Sequence, residues 1–515
     1  MASSSRDCTP HALVVPYSAP HGSTGHVVGS MLLAQSLADH GFKVNFVLFS
    51  TYYAKLKEMG TLLPLPISEA SFQSSMRSVH GDGSPGSVGG TMYISTNCSD
   101  GHGNRRNVYI HVVEDNLTPH DIHKFFYVNP TMKENLYQLI VELQEQGFPL
   151  TCLVSDSFVP WTLPVAQRAG IPRVEFWTTN AMAHLLYCNI APLYTDGVFP
   201  IKESQTPGKG EPPLMLSHIQ GLPPFSAELI PGDLRFVDSS DYFVQFFIQV
   251  ASCVKYGERI LVHSMSELEP TAFESFKIQG IPAYAIGPLP CHTKKQETTQ
   301  TDCMPWLDLQ AELSVIYVAF GSFARFSVKD MQELAMGLEA SESPFLWVIL
   351  EDAYRREELP QVLPDGFLER TRGKGLIVSW APQVEVLAHK AVGGFLSHCG
   401  WNSTLESMWE GIPMLCCPHY AEQRLNCHYI CDLWRAGLEL GRADTGQIER
   451  SFVKLGVKAL LQEEEGIKAR SKAQEIMQLA RKTSQQGGHS FTNLQKFYDD
   501  MRVLCSKHSA NSASK

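Results

Sequence analysis

His398, Asn402 and Ser403 lie within six residues of one another, and their types suit them to holding an anion. Gly393–His398 (GGFLSH) is a short apolar run bounded by glycines, the pattern of a buried parallel strand. Cys399-Gly400-Trp401 turns the chain. Asn402 and Ser403 are placed to cap a helix with apolar positions Leu405, Met408, Trp409 and Ile412, which Gly411 and Pro413 end. Ser403-Thr404-Leu405-Glu406 spells a capping box. The polar side chains therefore gather where a strand hands over to a helix N-terminus. Free N–H groups and the positive end of the helix dipole favour a phosphate there. Taken singly, a capping box marks only a helix start, and a strand-end histidine is usually structural. The informative feature is the spacing of the whole stretch.

That stretch, Trp380 to Gln423, reads WAPQVEVLAHKAVGGFLSHCGWNSTLESMWEGIPMLCCPHYAEQ and is 44 residues long. It resembles, without a gap, the PSPG signature of plant secondary-product UDP-glycosyltransferases (glycosyltransferase family 1). The resemblance implies that Trp380 stacks on uracil while Ala381 and Gln383 meet the base and ribose. It gives the ribose hydroxyls to Glu406 and the diphosphate to His398, Asn402 and Ser403, with Ser322 of the AFGS turn nearby. Trp401, Glu422 and Gln423 are then expected to face the sugar. Glu422 departs from the aspartate more usual in the family, which keeps the carboxylate and lengthens its reach by one methylene. A terminal Gln implies UDP-glucose as co-substrate. No other cofactor and no obligatory metal is implied.

Sugar transfer to a hydroxyl needs a base, and histidine is the usual one near neutral pH. The family places it after the first strand, behind a glycine, with its supporting aspartate in a V-x-D-x-F pattern. Gly25-His26 and Val154-Ser155-Asp156-Ser157-Phe158 match, each following an apolar strand. The resemblance thus implies an inverting transfer with His26 as base and Asp156 behind it. Val28-Gly29 stands where the family often has Asn-Pro, and the lengthened turn leaves His21 as a rival. The implied acceptor is a small, largely apolar molecule bearing a hydroxyl, of phenolic, flavonoid or terpenoid type. Its wall is expected from Phe125–Tyr127, Trp161 and Thr178–Leu186, together with Ala421.

These residues need two frameworks. The first is a βαβ start: strand Ala12–Pro16, a glycine-rich turn, helix His26–His40 with Val27, Met31, Ala34 and Leu37 on one face, and strand Lys43–Phe49. A second series opens at Ser314–Phe320 and continues through strands Phe345–Leu350, Gly375–Ser379, Gly393–Ser397 and Pro413–Cys417. The expected class is α/β: the GT-B fold, two doubly wound Rossmann-like domains facing across a cleft, with ligands at the carboxyl ends of the strands. The expected division is an acceptor domain over 1–289 and a polar linker over 290–305. The UDP-sugar domain covers 306–484, a helix returning to the first domain covers 485–504, and a disordered tail covers 505–515. Residues 74–107, rich in Gly, Ser and Asn, are expected to form a mobile loop. An inert insertion is favoured there over a role at the acceptor site.

The net charge of −11, from 42 basic and 53 acidic residues, argues against a nucleic-acid partner. No apolar run reaches the length of a membrane helix, and MASSSRDCTPHALVV has no basic stretch leading into an apolar core. A cytoplasmic protein with free thiols, monomeric by default, is expected. Cys416, Cys417, His419, Cys427 and Cys431 lack the tight paired spacing of a zinc site, and neighbouring strand positions point to opposite faces. Two rival functions remain. A nicotinamide-dependent oxidoreductase is disfavoured because PYSAPHGSTGH lacks G-x-G-x-x-G and the second strand ends without an acidic residue. A non-catalytic UDP-sugar sensor would keep Trp380–Gln423 and lose the base.

Overall fold

Runs such as Leu13-Val14-Val15 and Val44–Phe49 are buried throughout, as strands covered on both faces must be. A computed structural model describes residues 9–19, 24–58, 92–96, 108–117, 130–202, 212–254, 259–289, 303–321, 326–350, 359–443 and 446–513. In chain order the strands are β1 His11–Val15, β2 Lys43–Phe49, β3 Met92–Thr96, β4 Val108–Val113, β5 Cys152–Asp156 and β6 Arg173–Trp177. A small antiparallel ribbon follows, β7 Met215–Leu216 with β8 Phe225–Ser226. Then come β9 Ile260–Val262, β10 Ala283–Ala285, β11 Val315–Ala319, β12 Phe345–Val348, β13 Gly375–Val378, β14 Val392–Ser397, β15 Met414–Cys416 and β16 Gly437–Glu439.

They form one sheet of order β10-β9-β6-β5-β1-β2-β4-β3 and another of order β13-β12-β11-β14-β15-β16. Both are parallel apart from the β3–β4 pair. In the first, β1 pairs with β2 on one side and β5 on the other; in the second, β11 pairs with β12 and β14. These are the switch points where successive connections leave in opposite directions and open a crevice. The turn before His26 follows β1, Asp156 ends β5, Gly321 follows β11 and His398 follows β14. Both halves of the expected site thus sit at switch points. Apolar clusters cover both faces of each sheet.

The last helix, His489–Ala513, returns to the first domain. The Tyr498 hydroxyl meets Ser36 Oγ at 2.7 Å, its ring stacks on His40, and Arg502 donates to the His40 carbonyl. Backbone helix continues to Ala513, so the tail expected to be disordered from 505 is largely an extension of this element. The expected linker also overruns, because Cys303–Asp308 is already helical; 290–302 lie outside the described residues. Cys505 is disulfide-bonded, which corrects the expectation of free thiols throughout, while the other described cysteines are free. Among the described residues no helix is long and apolar enough to cross a membrane.

The larger correction is β3. Met92–Thr96 falls inside the stretch expected to be a loop, yet it pairs antiparallel with β4 along its full length. Met-Tyr-Ile-Ser-Thr is good strand sequence that the surrounding glycine and serine obscured. Replacing 78–105 with a Gly-Ser linker is therefore expected to lower the melting temperature, because β4 becomes an uncovered edge. An unchanged thermal transition would show β3 to be dispensable.

Candidate active site

The helix Thr24–Asp39 begins two residues before His26, so Gly25 and His26 occupy its first turn. The sequence alone put Gly25 in the preceding turn. His21 lies outside the described residues. His26 Nδ1 donates to Asp156 Oδ2 at 2.8 Å and lies 3.0 Å from Thr178 Oγ1. The carboxylate is itself anchored: Asp156 is 1% exposed and its Oδ1 accepts the Phe158 N–H at 2.8 Å. A proton on Nδ1 leaves the lone pair on Nε2. The side chain of His26 is 20% exposed, so the ring still reaches solvent. Burial pulls its pKa down, but Asp156's charge and hydrogen bond, with the Glu422 charge, outweigh it, and the net shift is upward. At Gly29, within the local departure from Asn-Pro, a Cβ would come within 3.3 Å of Thr178 Cγ2, a tight contact.

Across the cleft, Gly400 precedes the helix Trp401–Glu410, and no side chain caps it. The capping box is therefore not formed. Asn402 and Ser403 lie inside the first turn, Ser403 Oγ accepts from Gln383 Nε2 at 3.0 Å, and Glu406 accepts from the same amide at 2.6 Å. Gln383 also accepts from the Tyr317 hydroxyl at 3.2 Å. Gln383, expected to meet the base and ribose, holds Ser403 and Glu406 in this way. Burial lifts the Glu406 carboxyl to about 7, against the lowering effect of the Gln383 hydrogen bond. His398 is 8% exposed; burial, and then the charge of His419, press its pKa down to about 4, so it is neutral at physiological pH. Its ring is wedged between two glycines. A Cβ at Gly321, which has φ +68°, would stand 2.7 Å from His398 Nε2, and one at Gly400 would be closer still.

The two halves meet through hydrogen bonds. Asn402 Nδ2 donates to the Gly25 carbonyl at 2.7 Å, directly before His26. Trp401, expected at the sugar, is 3% exposed and its indole N–H donates to the His263 carbonyl at 2.7 Å. Its ring joins the domains, and only its backbone N–H remains at the helix start. Thr179 Oγ1 donates to Glu422 Oε1 at 3.0 Å. Asn180 Nδ2 donates to Asn426 Oδ1, and Asn426 Nδ2 to the Cys399 carbonyl. The buried Gln423 accepts the His419 and Tyr420 N–H groups on Oε1, at 2.9 and 3.2 Å, so only its NH2 is left to donate.

Among the remaining expected residues, Trp380 is 45% exposed, while Ala381 is buried in the core. Thr178 stands beside His26, and the exposed Ala421 adopts φ +51° just before Glu422. Trp161, expected in the acceptor wall, is 3% exposed and packs on Phe49. Phe125 and Ser322 lie outside the described residues. The residues missed by sequence are aromatic. The Phe158 ring lies 4.8 Å and Tyr17 5.0 Å from that of His26, and Phe158 continues to Trp177, Tyr187, Phe246 and Phe247. Phe158 was legible as the last position of V-x-D-x-F; Phe246 and Phe247 were hidden in a helix that reads as core. A small apolar pocket opens nearby, lined by Ala183, Leu186, Tyr187, Ile190, Glu422 and Leu425 among others.

Residues 266–486 match the family model described as UDP-glucoronosyl and UDP-glucosyl transferase. The chain is 32% identical over 513 residues to a 7-deoxyloganetin glucosyltransferase of Gardenia jasminoides, covering 96% of this chain and 98% of that protein. It is 33% identical over 361 residues to an (R)-mandelonitrile beta-glucosyltransferase of Prunus dulcis, covering 67% and 74%. Its fold is similar to that of a UDP-glucosyltransferase from Polygonum tinctorium that can glucosylate indoxyl, with TM-score 0.75, 25% identity and coverage of 96% and 99%.

Proposed function

Since the chain belongs to the plant UDP-glycosyltransferase family and has its GT-B fold, we propose that it transfers glucose from UDP-glucose to a hydroxyl of a small, largely apolar acceptor by an inverting displacement, with His26 as base. The observation that carries this reading is the contact between Asn402 and the Gly25 carbonyl. It brings the start of the Trp401–Glu410 helix against the turn bearing the His26–Asp156 pair. In the proposed reaction the acceptor O–H gives its proton to His26 Nε2. The freed oxygen bonds to the anomeric carbon, and the bond from that carbon to UDP breaks with its electron pair leaving on the diphosphate. Asp156 stabilises the imidazolium. The N–H groups of Trp401, Asn402 and Ser403, with neutral His398, receive the developing charge without an obligatory metal. Trp380 stacks on uracil, Ala381 borders it, Glu406 takes the ribose hydroxyls and Ser322 approaches the diphosphate. Glu422 and Gln423 meet the sugar. The aromatic cluster of Phe158 around His26 supports an apolar acceptor.

An acceptor screen with UDP-glucose, read as UDP release and product mass, tests this. Tight UDP-glucose binding with no transfer to any hydroxyl would favour the sensor. Gln423→Ala is expected to cost roughly 1–3 kcal/mol of transition-state binding, because a sugar hydroxyl loses its amide donor and the 419–420 turn loses its acceptor. UDP-glucose should outrun UDP-galactose and UDP-glucuronate in the native protein; equal turnover with all three would remove this role.

Glu406 gives a pH signature. Ribose hydroxyls donating to its carboxylate favour the ionised form, so binding expels a proton and affinity should rise with pH through about 7. Between about pH 6 and about pH 8 the UDP affinity should gain several-fold, and by linkage no more than about tenfold per unit. Uridine, which has no phosphate to titrate, should show the same slope, and Glu406→Gln should flatten it. A slope unchanged in that variant would assign the proton elsewhere.

A further inference from the structure

Behind the diphosphate turn, the Sγ atoms of Cys399, Cys416 and Cys427 all lie within 4.8 Å of one another, and the three residues are 0%, 0% and 2% exposed. Half-buried Cys431 brings a fourth sulfur, 4.0 Å from that of Cys427. We propose that these four cysteines form a binding site for a thiophilic d10 cation, of which Zn2+ is the tested example. Isolated buried cysteines are common as small apolar side chains. Here, however, the sulfurs converge from four places: the turn after β14, strand β15, the helix Gln423–His428 and the turn of helix after it. With Zn–S bonds of ~2.3 Å, a tetrahedral site sets its sulfurs ~3.8 Å apart, so closure asks for side-chain movements of about 1 Å. An all-sulfur set selects a soft ion over Mg2+ or Ca2+.

The other cysteine of this stretch is excluded by geometry. Cys417 points to the opposite face of β15, where its sulfur meets Arg442 Nη2 at 3.3 Å. Cys399 adopts φ +64° between His398 and Gly400, and its carbonyl accepts from Asn426. A bound cation would therefore tie the turn carrying His398 to the helix that begins at Gln423. Binding replaces thiol protons: one Zn2+ and four thiols give one tetrathiolate complex of charge −2 and four protons released to water. Arg424, one helical turn before Cys427, supplies nearby positive charge, and Glu439 opposes it from β16.

The full chain, reduced and stripped with chelator, should take up one Zn2+ per molecule in equilibrium dialysis. Co2+ in its place should give the visible absorption of a tetrahedral thiolate site, and Cd2+ an ultraviolet sulfur-to-metal band. Cys427→Ser and Cys399→Ser should lose both signals, while Cys417→Ser keeps them. Should either variant misfold, the native sequence still decides: during slow labelling in mild denaturant, Zn2+ should protect Cys399, Cys416, Cys427 and Cys431, and not Cys417, from maleimide, as mapped by peptide mass. Because no turnover is read, the result is independent of the proposed glucosyl transfer. No stoichiometric uptake, or uptake with those four thiols labelled as before, would overturn the site and leave them as packing groups.

Discussion

Turnover on an aliphatic alcohol should fall roughly 10²-fold or more in His26→Ala, the scale for removing a general base, while UDP-glucose binding changes little. The donor is proposed to be held by Trp380, Glu406 and the helix start in the second domain, and His26 stands on the first. Asp156→Asn should also slow the reaction, because an amide can donate to Nδ1 and leave the imidazole in the wrong tautomer. The pH profile separates chemistry from folding. Asp156 raises the pKa of His26, and the base must be neutral to act. Turnover of the native enzyme should therefore fall as pH drops through a value above that of an ordinary imidazole. In Asp156→Asn that acid limb should move to lower pH while the plateau falls. An acidic phenol, already partly ionised at the assay pH, should suffer less from either substitution. Full activity in a folded, UDP-binding His26→Ala protein would transfer the role to another residue, with His21 the first to test.

Gly400→Ala should weaken UDP binding by about tenfold or more. Gly400 has φ −61° and ψ 142°, a conformation alanine accepts, so backbone strain is not the cause. A Cβ there collides with His398 Nε2, and Gly321 closes the other side of the ring, so the imidazole has little room to retreat. Displacing it disturbs a proposed diphosphate donor, and the turn leading to Trp401 shifts with it. A double-mutant cycle isolates the cause. His398→Ala should itself weaken UDP, but in that background Gly400→Ala should add little, because the clashing atoms are gone. Additive losses would mean that the glycine acts through the helix start and not through His398.

How much of this was legible in the sequence follows from the range of the interactions. β14, the turn at Cys399-Gly400 and the helix Trp401–Glu410 are contiguous, and hydrophobic spacing with a terminal glycine at φ +71° was enough to read them. The 44-residue resemblance then gave an expected nucleotide half, and His26 after the first strand and Asp156 at the end of a later one could be matched to a family pattern. What brings that pair to 2.8 Å across 130 residues of chain is the adjacency of β1 and β5, a property of strand order that no local pattern encodes.

Tertiary structure alone decided the other assignments. Local reading made Ser403 and Glu406 a capping box, but the half-buried Gln383 amide offered both a hydrogen-bond donor and drew them into a three-residue cluster. Trp401 turned toward His263 because a buried indole N–H needs an acceptor, and the one it meets lies on the opposite domain. β3 was hidden because a glycine-rich neighbourhood dilutes composition while pairing to β4 depends only on five residues and an open edge. The four converging sulfurs escaped notice because Cys399 joins Cys416, Cys427 and Cys431 through the packing of β14 on β15 and the following helix, not through spacing along the chain. The sequence determined which groups were present and which short elements carry them. Strand order and the unmet hydrogen-bonding needs of buried polar groups determined which of them meet.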